Sequence, residues 1–396
     1  MKKVVLAFSG GLDTTYCAIY LAKEKGLEVH TVLVNTGGFS PNELEKVEKH
    51  ARSMGVASHT NLDKTEDFYA HCVKYLIFGN CLRNHTYPLS VSAERIFQAV
   101  AIAEFAENKG FDFVAHGSTG AGNDQVRFDL VFQVMLPEVT ILTPIRDLKL
   151  SRQEEVEYLQ KNGVDQSWEK AKYSINRGLW GTSVGGVETL TSREALPEEA
   201  YPSQLSKSDE TTIEIGFEKG EPVSIDGKKM NAVELIQQLH TMASAYAIGR
   251  DVHVGDTIIG IKGRVGFEAP APLILIKSHQ LLEKHILTKW QQYWKDQIGT
   301  WYGMQVHEGQ FMEPVLRNME KMLEDSQDRV TGSVFVKLSP YRFSLEGIES
   351  KYDMMQSRFG SYGEMNTGWT GEDVKSFTKI LGNATRIYHS TGKDEN

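Results

Sequence analysis

The sequence predicts an α/β protein with an N-terminal parallel-sheet domain, an α+β second domain and a C-terminal helix. Up to about residue 165, short β-branched runs alternate with stretches of helical spacing, the pattern of a parallel sheet covered by helices. After about Trp168 this order is lost, and glycine and proline become frequent from Gly178 to Pro202. Beyond that, helical stretches mix with one alternating stretch, with no internal repeat and no low-complexity segment. The expected divisions are residues 1–168, 169–365 and 366–396.

Val4 to Phe8 reads as a buried strand, Thr14 to Lys25 as a helix and Val29 to Val34 as the next strand. Ser40 N-caps a second helix, with Pro41 at its first position, Glu43 completing a capping box and Gly55 as a stop. Ser92 to Asn108 reads as a helix and Phe111 to Ala115 as a strand. Ser151 with Glu154 caps a further helix that ends at Asn162-Gly163. In the second part, Asn231 and Glu234 open a helix that Gly249 can close. Gln280 to Ile298 carries Leu281, Leu282, His285, Ile286, Trp290, Tyr293 and Trp294 at helical spacing. Its tryptophan stripe is expected in the core or against another subunit rather than around a ligand. Arg329 to Ile348 alternates around Ser339-Pro340, as a hairpin does. A last helix from Gly371 to Leu381 precedes a polar tail expected to be mobile.

A chain of 396 residues has room for about two to three domains. The net charge of -9 argues against a nucleic-acid surface but leaves room for a local basic pocket. Cys17, Cys72 and Cys81 show no Cys-x-x-Cys spacing, which predicts reduced thiols and neither a disulfide framework nor a zinc site. The apolar run after Lys2-Lys3 is too short for a signal peptide, and none approaches the ~20 residues of a membrane span. A cytoplasmic location with no membrane partner is expected.

Chemistry enters at Ser9-Gly10-Gly11-Leu12-Asp13-Thr14, between the first strand and the first helix. Adjacent glycines let the backbone approach a polyanion, and the unpaired N–H groups of the helix start point at it. Hydroxyls of Ser9, Thr14 and Thr15 are expected in reach. Asp13 would repel phosphates unless a divalent cation lay between them, so its natural role is to hold Mg²⁺ on a leaving pyrophosphate. The string is neither a dinucleotide turn nor a Walker loop. It resembles the phosphate loop of the N-type ATP pyrophosphatases, the superfamily of argininosuccinate, asparagine, GMP and NAD synthetases, with an adenine nucleotide α-hydrolase-like fold.

A second string runs from Ala115-His116-Gly117-Ser118-Thr119-Gly120 through Asn123-Asp124 to Arg127-Phe128, a strand end followed by a polar glycine-rich loop. Loops at the carboxyl ends of parallel strands bind ligands. This stretch closely resembles the argininosuccinate synthase family, as do Tyr87-Pro88-Leu89 with Ser92 and Arg95, and Tyr173-Ser174-Ile175 with Leu179-Trp180-Gly181 and Ser183. The resemblance implies that citrulline's ureido oxygen attacks Mg-ATP, releasing pyrophosphate, and that the aspartate amine then displaces AMP. By position, ATP would meet Ala7, Phe8, Ser9, Gly10, Gly11, Leu12, Asp13, Thr14, Thr15, Val34 and Gly117. Aspartate would meet Thr119, Asn123 and Asp124; citrulline would meet Tyr87, Ser92, Asn123, Arg127, Ser174 and Ser183. Asp13, Asp124 and Arg127 are the candidate catalytic residues. Asp124 could bind the incoming ammonium and take its proton, and Arg127 could fork onto a carboxylate. His116 is expected to orient the loop or pack. The family also implies a homotetramer.

Around citrulline the sequence departs from the family pattern. Gly255 stands where the family carries a glutamate, Phe267 where it carries a tyrosine, and Asn176-Arg177-Gly178 where it carries Asp-Glu-Asn. Losing one partner of a desolvated charge pair costs about 2–5 kcal/mol, roughly a factor of 30 to several thousand in binding. Asp251 or Asp256 could compensate. One alternative is therefore an N-acylated citrulline with Arg177 near the acyl group. Others are an amide-forming or tRNA-modifying ligase, against which the acidic balance weighs, and a non-catalytic nucleotide module, against which Ser9, Asp13 and Asp124 weigh.

Overall fold

Parallel strands need crossover connections, and helices supply them throughout the first part of the chain. The computed structural model describes residues 1–164, 168, 172–360, 362–364 and 368–392. It begins with β1 (Lys3–Ala7), α1 (Leu12–Lys23), β2 (Glu28–Asn35), α2 (Pro41–Ser53) and β3 (Ser58–Asp63). A helical run follows as α3 (Thr65–Phe68), a π-helical turn at Tyr69–Val73 and α4 (Lys74–Phe78). Then come α5 (Ser90–Lys109), β4 (Phe113–Ala115), α6 (Asp124–Met135), β5 (Thr140–Leu142), α7 (Pro144–Leu148) and α8 (Arg152–Lys161).

The five strands lie in the order β3-β2-β1-β4-β5, all pairs parallel. Val4, Val5 and Leu6 at its centre are fully buried. The chain adds β2 and β3 on one side of β1 and β4 and β5 on the other, so strand order reverses between β1 and β4. Such a reversal leaves a crevice at the carboxyl ends of the two strands. The helix starts follow the sequence reading: Ser40 and Ser151 each form a capping box, with Glu43 and Glu154.

The second part holds β6 (Ser174–Gly178), β7 (Gly181–Gly185), β8 (Thr211–Glu218), β9 (Glu221–Ile225), β10 (Lys228–Lys229), α9 (Ala232–Ser244), β11 (Arg250–Asp256) and β12 (Lys262–Glu268). It continues with α10 (Pro270–Ile286), α11 (Lys289–His307), α12 (Pro314–Ser326), β13 (Gly332–Ser339) and β14 (Arg342–Glu349). Its antiparallel sheets run β10-β9-β8-β13-β14 and β11-β12-β7-β6. The expected hairpin is β13–β14.

The Gln280 to Ile298 stretch is not one helix. Leu287 is extended, and Thr288 N-caps α11 in a capping box with Gln291. Apolar spacing runs through the break, so periodicity alone could not see it. Trp290, Tyr293 and Trp294 are more than half exposed, which removes the reading of this stripe as core of the chain.

A buried polar network ties α4 to α10, α11 and α12. His279 hydrogen-bonds Asn80 (2.7 Å) and Gln327 (2.8 Å). Glu283 accepts from Asn80 at 2.7 Å and from Gln327 at 3.0 Å, and pairs with Lys295 at 2.8 Å. Lys295 also donates to the Phe78 carbonyl. All three cysteines are buried and free.

Met1–Ser350 forms one compact unit and Lys351–Asn396 a second. Taken alone, the second unit holds α13 (Gly371–Leu381), with the bounds the sequence predicts, and α14 (Asn383–Ser390). Thr370 caps α13 with Asp373. The last four residues of the polar tail lie outside the described residues. Among the described residues, no helix is long and apolar enough to cross a membrane.

Candidate active site

β1 and β4 end side by side at Ala7 and Ala115, so the two loops singled out in the sequence leave the sheet at its point of reversal. Between them opens a cleft of about 1020 Å³. Of the residues assigned from sequence, all but Gly10 and Thr15 line it.

Gly10 shapes the turn from behind. Its φ of +77° suits glycine, and a Cβ there would meet Val47 at 3.3 Å. Gly11 is the N-cap residue of α1 and no side chain caps that helix, so its first N–H groups stay available to an anion. Thr14 Oγ1 donates to the Gly11 carbonyl at 3.2 Å and lies 3.4 Å from Ser9 Oγ. Thr15 corrects the sequence reading: it is fully buried, its hydroxyl is 2.9 Å from His50 Nε2, and it faces away from the loop. Helical phase explains this, since Thr15 falls on the sheet side of α1. Gly117 closes the second loop onto the first; a Cβ there would lie 3.3 Å from Asp13 Cβ and Thr14 Cγ2. Val32 to Val34 of β2 and Phe39 supply an apolar wall suited to a flat ring.

The second loop is shorter than its sequence suggests, because α6 starts at Asp124. His116 is buried and orients the loop, as expected: Nδ1 accepts from the Ser118 N–H at 3.2 Å and Nε2 is 2.9 Å from Asp129. Asn123 Oδ1 accepts from the Ile258 N–H at 2.8 Å, tying the loop to the β11–β12 turn.

Asp124 sits between two guanidinium groups, accepting from Arg95 at 3.1 Å and from Arg127 at 3.2 Å. Burial would raise its pKa, but the charges and hydrogen bonds of Arg95 and Arg127 outweigh burial and hold it below the usual carboxylate range. A carboxylate so stabilised can receive an ammonium but is a weak base, which corrects the proton-taking role. Arg127 is corrected too. Its fork is spent on the His307 carbonyl, at 3.3 and 3.0 Å, and on Asp124. Arg95 received no individual role from sequence, although it lies one turn beyond Ser92 on the same helical face. It also donates to Asn176 at 3.1 Å, linking α5, α6 and β6.

At the acceptor end the Tyr87 hydroxyl accepts from Ser90 Oγ and from the Val91 N–H, both at 3.2 Å. Its ring stacks on His253 at 5.3 Å and packs against Phe267 at 5.5 Å. Phe267 is fully buried behind Tyr87 and does not line the cleft. Gly255 does line it, and a Cβ there would fall 2.6 Å from His253 Nε2. His253, missed from sequence, fills the space a side chain at 255 would need. Of the two possible compensating acids, Asp256 lines the cleft but pairs with Lys262 at 2.7 Å, and Asp251 is exposed. Arg177 stands on β6 and Gly255 on β11, opposite edges of a four-stranded sheet about 14 Å wide at ~4.8 Å per strand, and the register sets Arg177 across from Arg250 rather than Gly255, which takes the two farther apart still. Arg177 turns to Glu43 at 3.8 Å, so it does not reach an acyl group beside Gly255.

Comparison with known proteins follows the same two parts. Residues 3–165 match the family model described as "Arginosuccinate synthase N-terminal HUP domain", and residues 173–388 match "Arginosuccinate synthase C-terminal domain". The chain belongs to the argininosuccinate synthase family. The argininosuccinate synthase of Dictyoglomus thermophilum is 34% identical over 393 residues, 99% of this chain and 98% of that protein. That of Methanocaldococcus jannaschii is 36% identical over 363 residues, 91% of each. That of Xylella fastidiosa is 35% identical over 395 residues, 98% of this chain and 97% of that protein. These matches bear out the α/β class and the ligase family. They span β11 and β12 as well, and lend no support to an acylated acceptor, another ligase class or a non-catalytic module.

Proposed function

We propose that this argininosuccinate synthase family chain joins L-citrulline to L-aspartate in arginine biosynthesis, converting ATP to AMP and pyrophosphate. The observation that carries the reading is that both loops at the strand reversal open into one cleft. The free N–H groups at the start of α1, with Ser9 and Thr14, hold the phosphates, while Val32 to Val34 hold the adenine. The citrulline ureido oxygen, held among Tyr87, Ser92, Ser174 and Ser183, attacks the α-phosphate and expels pyrophosphate. The aspartate amine, received by Thr119, Asn123 and Asp124, then displaces AMP from the citrullyl carbon. Most of the acceleration is positioning and charge stabilisation. Arg127 acts as a positioning residue through Asp124, not on substrate. Asp13, a carboxylate at a polyanion site, suits Mg²⁺, which when bound supplies neutralising charge to the leaving pyrophosphate.

The test is pyrophosphate release with ATP, aspartate and ureido-¹⁸O citrulline. Label in AMP is expected; no pyrophosphate release, or release without label transfer, overturns the scheme. In the same reading the enzyme is cytoplasmic, with residues 1–168 as the ATP pyrophosphatase domain, which also presents Tyr87, Ser92, Thr119, Asn123 and Asp124 to the amino acids, 169–365 as the synthetase and multimerisation domain, and 366–396 as the C-terminal helix and tail. A homotetramer is supported by exposed apolar residues on α11 and, separately, by Phe377, Ile380 and Ile387 of α13 and α14. Light scattering that returns a monomer at micromolar concentration rejects it.

A further inference from the structure

We infer that Glu155 of α8 joins Asp13 of α1 in holding the divalent cation that accompanies the nucleotide, an inference that rests on the ATP-dependent reading above. α1 and α8 share an apolar cluster of Leu12, Ile19 and Leu159. That packing brings Glu155, one turn before Leu159, against Asp13, the residue after Leu12. Glu155 is only 3% exposed, its carboxylate lies within hydrogen-bonding reach of Asp13, and its Oε2 has no hydrogen-bond partner. Neighbouring Glu154 already caps the helix, so capping does not account for Glu155. The nearby cation Arg152 has its Nη2 donating to the Trp168 carbonyl.

Two carboxylates face to face repel, and a buried oxygen with no donor is costly, so something positive must lie between them. It is a proton or a metal ion. Among the described residues, no three His, Cys, Asp or Glu side chains converge on one point. Two carboxylates alone suit Mg²⁺, which is commonly bound by one or two carboxylates, waters and substrate phosphates. Asp13 lies in the first turn of α1, where those phosphates arrive, so they complete the set.

The experiment uses Mn²⁺ as probe, read by the electron paramagnetic resonance of the free ion, with the full-length protein and inorganic pyrophosphate present. Glu155→Gln is expected to weaken Mn²⁺ capture by about 10- to 100-fold, the range seen when groups around a metal are removed. Its melting temperature should not fall, because the new amide can donate permanently to Asp13. Glu155→Asp, which retains the charge but withdraws it by one methylene, should fall in between. Mn²⁺ affinity in Glu155→Gln within twofold of wild type overturns the inference and leaves a proton-sharing contact. Pyrophosphate release by the wild type, measured separately, judges the ligase reading itself.

Discussion

At the proposed phosphate end, a few consecutive residues between β1 and α1 turn hydroxyls and uncapped backbone N–H groups to the cleft. The acceptor end is assembled from side chains on α5, α6, β6, β7, β11 and β12, elements far apart in the chain. The first end depends on backbone shape and the second on side-chain charge held in a network. Substitutions should therefore separate the two ends kinetically.

The largest effect is expected at Asp124. Asp124→Ala leaves Arg95 and Arg127 facing each other without their carboxylate, costing about 2–5 kcal/mol in transition-state binding. That is roughly 30-fold to several thousand-fold in kcat/KM for aspartate and citrulline, with the KM for ATP unchanged. An equal rise in the ATP KM would show that the ends are not separable. Next comes Gly178→Ala, because a Cβ there would land on the buried Glu94 carboxylate. Overpacking of this kind costs about 1–3 kcal/mol, to be read from denaturant midpoints; an unchanged midpoint would mean that Glu94 moves freely.

Gly10→Ala tests the phosphate end. Its left-handed backbone adds about 1–2 kcal/mol of strain, which should raise the KM for ATP and spare those of the amino acids. The smallest effect concerns pH. Burial, aided by Arg83, lowers the pKa of His253 below its ordinary value of 6.5. The folded state thus binds this proton more weakly than the unfolded chain. Its contribution to stability is complete above pH 6.5 and is lost as pH falls through the lowered value. His50, His59, His240 and His279 are shifted the same way by burial. The decisive quantity is therefore the difference in melting temperature between wild type and His253→Gln across pH 7 to about 5. No narrowing of that difference would contradict the lowered pKa.

The same contrast explains what could be read from the sequence. The phosphate loop was legible because its chemistry is contiguous: strand, glycines, helix start. Thr15 was misjudged only because helical phase turns it inward against His50. The Asp124–Arg95–Asn176 links join residues far apart in the chain, and no local pattern marks them. At residue 255 the sequence shows that a side chain is missing but not that His253 occupies its place. β3 escaped notice because Ser58–Asp63 is mostly polar and half-buried at a sheet edge. The break at Leu287 escaped because the apolar spacing continues across it.

The polar network that fastens α4 to α10, α11 and α12 bears on how the molecule responds to its own ligand. Separating the halves would break the bonds of Asn80 to His279 and Glu283 and that of Lys295 to the Phe78 carbonyl, a loss heavy enough to couple their unfolding. Nucleotide held by the first half alone should then delay melting of the entire Met1–Ser350 body in a single transition. Occupancy of the phosphate loop would be reported in strands β8 and β13, which it never touches.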